Sequence, residues 1–118
     1  MENCIFCQIA QHKIPGEPVY EDETAIVIRD LHPLAPIHLL VIPKQHYASL
    51  NEIPESEPET LGKLLFLARK MAFEHNIGDS GYRTVINTGA DGGQSVYHLH
   101  IHVLGGGRVG VDLMTKGL

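Results

Sequence analysis

The stretch His98-Leu99-His100-Ile101-His102-Val103-Leu104 alternates imidazole with aliphatic side chains, an order that an extended strand turns into two distinct faces. Leu99, Ile101 and Val103 then share one face, and His98, His100 and His102 the other. Three of the chain's eight histidines fall within five residues, which packing alone does not call for. One side of this strand belongs to a core. The other reads as an active site.

At 118 residues the chain is expected to form one domain, residues 1–118, large enough for a real core. Its net charge of -5 offers no general attraction to nucleic acid or to an anionic membrane, although a small phosphorylated ligand remains open to it. No apolar run approaches the roughly 20 residues that span a bilayer. The start, Met1-Glu2-Asn3-Cys4, lacks the long apolar region of a secretory signal. The two cysteines, Cys4 and Cys7, therefore read as thiols or metal ligands rather than a structural disulfide, and a cytoplasmic location is expected.

Residues 5–11 suit a short helix ended by Pro15-Gly16. Residues 19–21 and 24–29 read as a hairpin across Asp22-Glu23, and the continuous apolar run Ala25-Ile26-Val27-Ile28 suggests cover on both faces. Pro33 and Pro36 make 31–37 a loop, and 38–42 is a third strand closed by Pro43. Ser56-Glu57-Pro58-Glu59 fits a capping box with Ser56 as N-cap. The long helix it opens presents Leu61, Leu64, Leu65, Ala68, Met71, Ala72 and His75 on one face and ends near 76–78. A strand over 82–88, the glycine-rich loop 89–95 and the histidine strand complete the order β-β-β-α-β-β. That order predicts an α+β fold on an antiparallel sheet.

Three readings of the histidines compete. They can be surface residues on a half-exposed strand, given the intermediate burial preference of histidine. They can form one metal site, but the α-carbons of His98 and His102 would lie about 13 Å apart, too far in line to converge well on one ion. Or they perform nucleophilic and acid–base chemistry. A neutral imidazole attacks an electrophile when its other nitrogen is held as N–H. The upstream loop offers glycine N–H groups with Gln94 and Ser95, the kind of nest that binds phosphate.

The heptapeptide matches the pattern His-φ-His-φ-His-φ-φ, with φ apolar, and so resembles the histidine triad (HIT) family, in particular its Hint branch. Three further blocks carry the resemblance. They are Asp30-Leu31-His32-Pro33-Leu34-Ala35-Pro36-Ile37-His38 with Val41-Ile42-Pro43-Lys44; Gly81-Tyr82-Arg83 with Asn87-Thr88; and Gly92-Gly93-Gln94-Ser95-Val96-Tyr97. The ending from Leu104-Gly105-Gly106-Gly107-Arg108 to Lys116-Gly117-Leu118 is similar to bacterial members. The resemblance implies the HIT fold: a five-stranded antiparallel sheet with one long and one short helix, dimerising across a two-fold axis into a ten-stranded sheet.

It further implies hydrolysis of purine nucleoside phosphoramidates to a nucleoside monophosphate and an amine through a nucleotidyl-histidine intermediate. His100 would be the nucleophile and His102 the phosphate and leaving-group partner. His38 would be a relay behind them, and His98 the first triad member. Asn87, Gly93, Gln94 and Ser95 would surround the phosphate. Asp30 would hold the ribose, and Ile28 and Leu31 would wall the base. The position of His32 is more often serine in this branch, and leaving-group preference does not transfer.

Some family members carry the cysteine pair with a histidine at the position of His46 and bind zinc. Their fourth ligand is the first triad histidine. Carried over, the ligands are Cys4, Cys7, His46 and His98, a closed and therefore structural site. A zinc-bound His98 is then no free proton shuttle. The alternatives kept open are a Fhit-like dinucleoside polyphosphate hydrolase and a nucleotide-binding regulatory or scaffold protein with incidental activity.

Overall fold

The structure, a computed structural model, describes residues 3–107; the part of the resemblance carried by 108–118 lies outside them, as do Met1 and Glu2. Five antiparallel strands form one sheet in the order β1-β2-β3-β5-β4. They are β1 (Tyr20–Glu21), β2 (Ala25–Arg29), β3 (Ile37–Pro43), β4 (Tyr82–Val85) and β5 (Ile101–Gly105). A short helix, α1 (Ile5–Ala10), precedes the sheet, and the long helix α2 (Glu59–Glu74) sits between β3 and β4 in sequence. Among the described residues no helix is long and apolar enough to cross a membrane.

Register sorts the side chains into two layers. Leu40 lies opposite His102, Leu39 opposite Val103, and Val41 opposite Ile101. Leu39, Val41, Ile101 and Val103 thus share a face with Ala25 and Val27, and α2 buries it with Leu64, Leu67, Ala68, Met71 and Ala72. The opposite face carries Ile26, Leu40 and Ile42 beneath Phe6 and Ala10 of α1. His38, His100 and His102 lie on this second face, all at most 6% exposed. The β2 run is indeed covered on both sides.

Several local expectations change. Pro58, not Ser56, occupies the N-cap of α2, and no side chain caps it. Proline's fixed φ already suits a helix start, so the turn begins there without the box. Leu65 is 38% exposed and Leu67 is buried instead. The stripe is therefore 64, 67, 68, 71 and 72, the i, i+3, i+4, i+7, i+8 set of a helix of 3.6 residues per turn. Both helices close with a left-handed residue, His12 (φ 58°) and Asn76 (φ 63°). The following N–H in each case reaches back, Lys13 to Gln8 and Ile77 to Ala72.

The histidine strand is shorter than its pattern suggested, starting at Ile101. Continuing the register sets Pro43 opposite Leu99, and proline has no N–H for a ladder. Leu99 N–H instead donates to the Tyr47 carbonyl at 2.7 Å. The strand over 82–88 likewise stops at Val85.

Candidate active site

The four buried histidines are held by a hydrogen-bond pattern that decides their tautomers. The Leu34 N–H donates to His38 Nδ1 at 3.1 Å, so a neutral His38 carries its proton on Nε2. That Nε2–H lies 2.9 Å from His102 Nδ1, which accepts it. His102 is left with an Nε2–H to offer. His100 is the opposite case. Its Nδ1–H donates to the His98 carbonyl at 2.7 Å, leaving the Nε2 lone pair free. The two rings stand 5.0 Å apart at 65°. One nitrogen lone pair and one N–H on neighbouring rings is what attack on an anionic phosphorus centre requires.

Asp30 Oδ2 lies 3.4 Å from the same His38 Nε2. Asp30, His38 and His102 are close enough to suggest a metal site. The tautomer argues against one, because His38 Nε2 bears a proton as long as Leu34 N–H occupies Nδ1. Asp30 Oδ2 and His102 Nδ1 instead both face the one proton on His38 Nε2.

His98 turns its ring away from this pair. Its Nε2–H donates to the Pro43 carbonyl at 2.8 Å, so Nδ1 presents a lone pair. Facing that lone pair are Cys4 Sγ at 3.3 Å, Cys7 Sγ at 3.5 Å and His46 Nδ1 at 3.1 Å. Cys7 Sγ is also 3.3 Å from His46 Nδ1. Three groups crowd one lone pair, which a hydrogen bond can use only once. Zinc bonds of about 2.3 Å to sulfur and 2.0–2.1 Å to nitrogen give a tetrahedron with edges of roughly 3.4–3.8 Å. The cluster is close to that size, and its four ligand atoms all lie within 4.8 Å of one another. The donor set fits a metal ion. The local reason is capping: Cys4 is the N-cap of α1 and its sulfur accepts from Cys7 N–H, which brings both thiols onto the first turn.

The remaining expected residues fall around this centre unevenly. Ile28 and Leu31 line a cavity of about 260 Å³ with Ile9, Ile14, Ile26 and Arg29. Asp30 is not in its lining, and its Oδ1 accepts the His32 N–H at 2.9 Å. Asn87 is half-buried two residues past β4. The β4–β5 register pairs Val85 with His102, so its continuation sets Asn87 across from His100.

Gln94 is not available to a ligand. Its amide gives one N–H to the Ala48 carbonyl at 2.7 Å and one to Val96 at 3.1 Å, while Oε1 accepts from Gly89. It braces the loop, and Ser95 beside it is exposed. Gly93 (φ 80°) makes the turn, although its N–H is spent on Ala90.

Two participants were invisible in the spacing: the Leu34 backbone, and Phe6, whose ring edge meets His100 at 5.0 Å. An aromatic inside the cysteine pair was the one available signal for Phe6.

The model of the family described as scavenger mRNA decapping enzyme C-term binding matches residues 3–110. The purine nucleoside phosphoramidase of Escherichia coli K12 is 39% identical over 117 residues, covering 99% of this chain and 98% of that protein. A HIT family hydrolase from Legionella pneumophila is 44% identical with a TM-score of 0.88, over 92% of this chain and 97% of that one. The chain belongs to the histidine triad family. A zinc-bound histidine triad family protein from Mycobacterium smegmatis is 32% identical, with a TM-score of 0.79, over 98% of this chain and 81% of that one.

Burial favours the neutral forms of His38, His98, His100 and His102 in this HIT domain. His38, His98 and His100 are all lowered, chiefly by desolvation, with Asp30 opposing it at His38 and His100. His102 is lowered to about 4 by burial, then by His100 and His38. The unfolded chain, titrating near 6.5, then binds more protons than the folded one between about pH 6.5 and 4. Stability rises with pH across that window and is lost as pH falls through it. His102 alone is expected to cost about 2 kcal/mol between pH 7 and pH 5. Urea unfolding at the two pH values measures this, and equal stability at both contradicts it.

The HIT loop tolerates little at Gly92. A Cβ there would meet the Thr88 carbonyl oxygen at 2.3 Å, a backbone atom that cannot swing aside. Gly92→Ala should therefore destabilise by about 1–3 kcal/mol. It should also shift the loop's cradle enough to raise KM, and an unchanged urea midpoint with unchanged KM would contradict this.

Proposed function

We propose that this HIT protein hydrolyses purine nucleoside phosphoramidates in two steps through His100. The observation that carries the reading is the opposed tautomers of His100 and His102: a free Nε2 lone pair beside an Nε2–H. The phosphoramidase relative at 39% identity supports the substrate class.

In the first step His100 Nε2 bonds to phosphorus and the phosphorus–nitrogen bond to the amine breaks. The substrate's phosphate charge raises the pKa of His102 from its low value, so that His102 enters carrying the proton the amine takes. The Asp30 carboxylate, 3.4 Å from His38 Nε2, acts in the same direction and favours the charged form of His102. In the second step water bonds to phosphorus and releases His100, and its proton returns to His102. The cavity walled by Ile28 and Leu31 suits a purine; in this reading Asp30 would hold the ribose hydroxyls, and Asn87, Gly93 and Ser95 would meet the phosphate.

Cys4, Cys7, His46 and His98 would hold zinc. With four protein ligands and no open position, the ion supplies fold stability rather than chemistry. A two-fold dimer belongs to the same reading. Its support is β4 at the sheet edge and the exposed phenylalanines of α2, Phe66 at 67% and Phe73 at 50%.

The test is a direct comparison of adenosine 5′-phosphoramidate with diadenosine tri- and tetraphosphate. Faster release of AMP from the phosphoramidate is expected. Preference for the dinucleotides would favour the polyphosphate reading, and tight AMP binding without turnover a sensing role.

A further inference from the structure

His98 is engaged at three points at once. Its Nε2–H is tied to the Pro43 carbonyl, its Nδ1 faces Cys4, Cys7 and His46, and its own carbonyl accepts the His100 Nδ1–H. The backbone here has no strand pairing to fix it, because β5 starts only at Ile101. What places the carbonyl that orients His100 is therefore the side chain of His98, together with the single Leu99 bond to Tyr47.

α1 makes a second connection between the same two groups. Its first turn carries both thiols, and Phe6 between them sets its ring edge against His98 at 6.0 Å and against His100 at 5.0 Å. The interplanar angles, 77° and 82°, are edge-on contacts that constrain both imidazoles.

We propose that His98 is a positioning residue through which metal binding and nucleotide binding strengthen one another. This deepens the proposed function and rests on it. Without an ion, three groups compete for the Nδ1 lone pair of His98, and the first turn of α1 can settle in more than one arrangement. Each arrangement moves Phe6 and the His98 carbonyl, and with them the direction of the His100 lone pair. An ion selects one arrangement, the one in which His100 points its Nε2 outward. A nucleotide whose phosphate meets that Nε2 selects the same one. Two ligands that favour one state must raise each other's affinity by the same factor.

The test uses the full chain and reads metal affinity. Zinc binding is measured by competition with a chromophoric chelator, with and without saturating AMP, while calorimetry follows AMP binding itself. AMP should tighten zinc about 5-fold or more, and zinc should tighten AMP by the same factor. His100→Ala lacks the N–H that joins its ring to the His98 carbonyl, so its factor should fall to about one although zinc still binds.

If wild type binds AMP and its zinc affinity does not move, the coupling is overturned and the proposed function stands. If coupling persists in His100→Ala, the route through His98 is overturned. If AMP does not bind at all, both readings fall. Should the metal-free chain fail to hold its fold, cobalt(II)-loaded protein answers the same question at constant metal content. Its visible bands should shift on adding AMP in wild type and not in His100→Ala, and bands indifferent to AMP in wild type overturn the coupling.

Discussion

His100→Ala is expected to lower phosphoramidate hydrolysis by at least about 10⁴-fold, the scale on which removing a covalent nucleophile acts. No other imidazole can take over. His102 uses Nδ1 to accept from His38, leaving a proton rather than a lone pair on Nε2, and His98 spends both nitrogens elsewhere. The fold should survive, because His100 is replaced by a smaller residue on a face already packed by Ile26, Leu40, Ile42 and Phe6. Circular dichroism and a urea midpoint close to wild type would show that the loss is chemical. A variant retaining full rate would remove His100 from the mechanism.

Loss of the proposed metal ligands should produce the largest effect on stability. Cys7→Ser replaces a buried sulfur donor with a poor zinc ligand, leaving Cys4, His46 and His98 as an incomplete donor set. An ion held at a thousand times its Kd contributes about 4 kcal/mol to the folded state. In a domain of this size, that corresponds to a fall in Tm of more than about 10 °C. Calorimetry of wild type and Cys7→Ser, each with and without chelator, measures it. Elemental analysis should find about one zinc per wild-type chain; less than about half an equivalent would count against the four-ligand site.

The strands and their order along the chain were legible because period-two patterns and proline positions are local. The face shared by His100 and His102 followed from alternation alone, whereas His38 beside them came only from the family resemblance. Boundaries were less legible where a distant group decides them. Nothing near Leu99 says that its strand partner is Pro43, and Ser56 matches a cap as well as Pro58 fills one.

The same limit applied at the site. The spacing of Cys4 and Cys7 left thiols and metal ligands both open, and their convergence with His46 and His98 depends on three segments meeting. Gln94 looked like a phosphate donor because its residue type allows it, while its burial and its bonds to Ala48 and Val96 arise from tertiary structure. Tautomers were the least legible of all, since a Leu34 N–H and a His98 carbonyl leave no mark in a sequence.

The central claim is that hydrolysis passes through a bond between phosphorus and His100. The most direct measurement is the stereochemical course at phosphorus, using a phosphorothioate analogue of adenosine 5′-phosphoramidate with one configuration, hydrolysed in oxygen-18 water. Two successive in-line displacements, at His100 and then at water, predict net retention of configuration. Net inversion would mean that water attacks phosphorus directly, and would contradict the account.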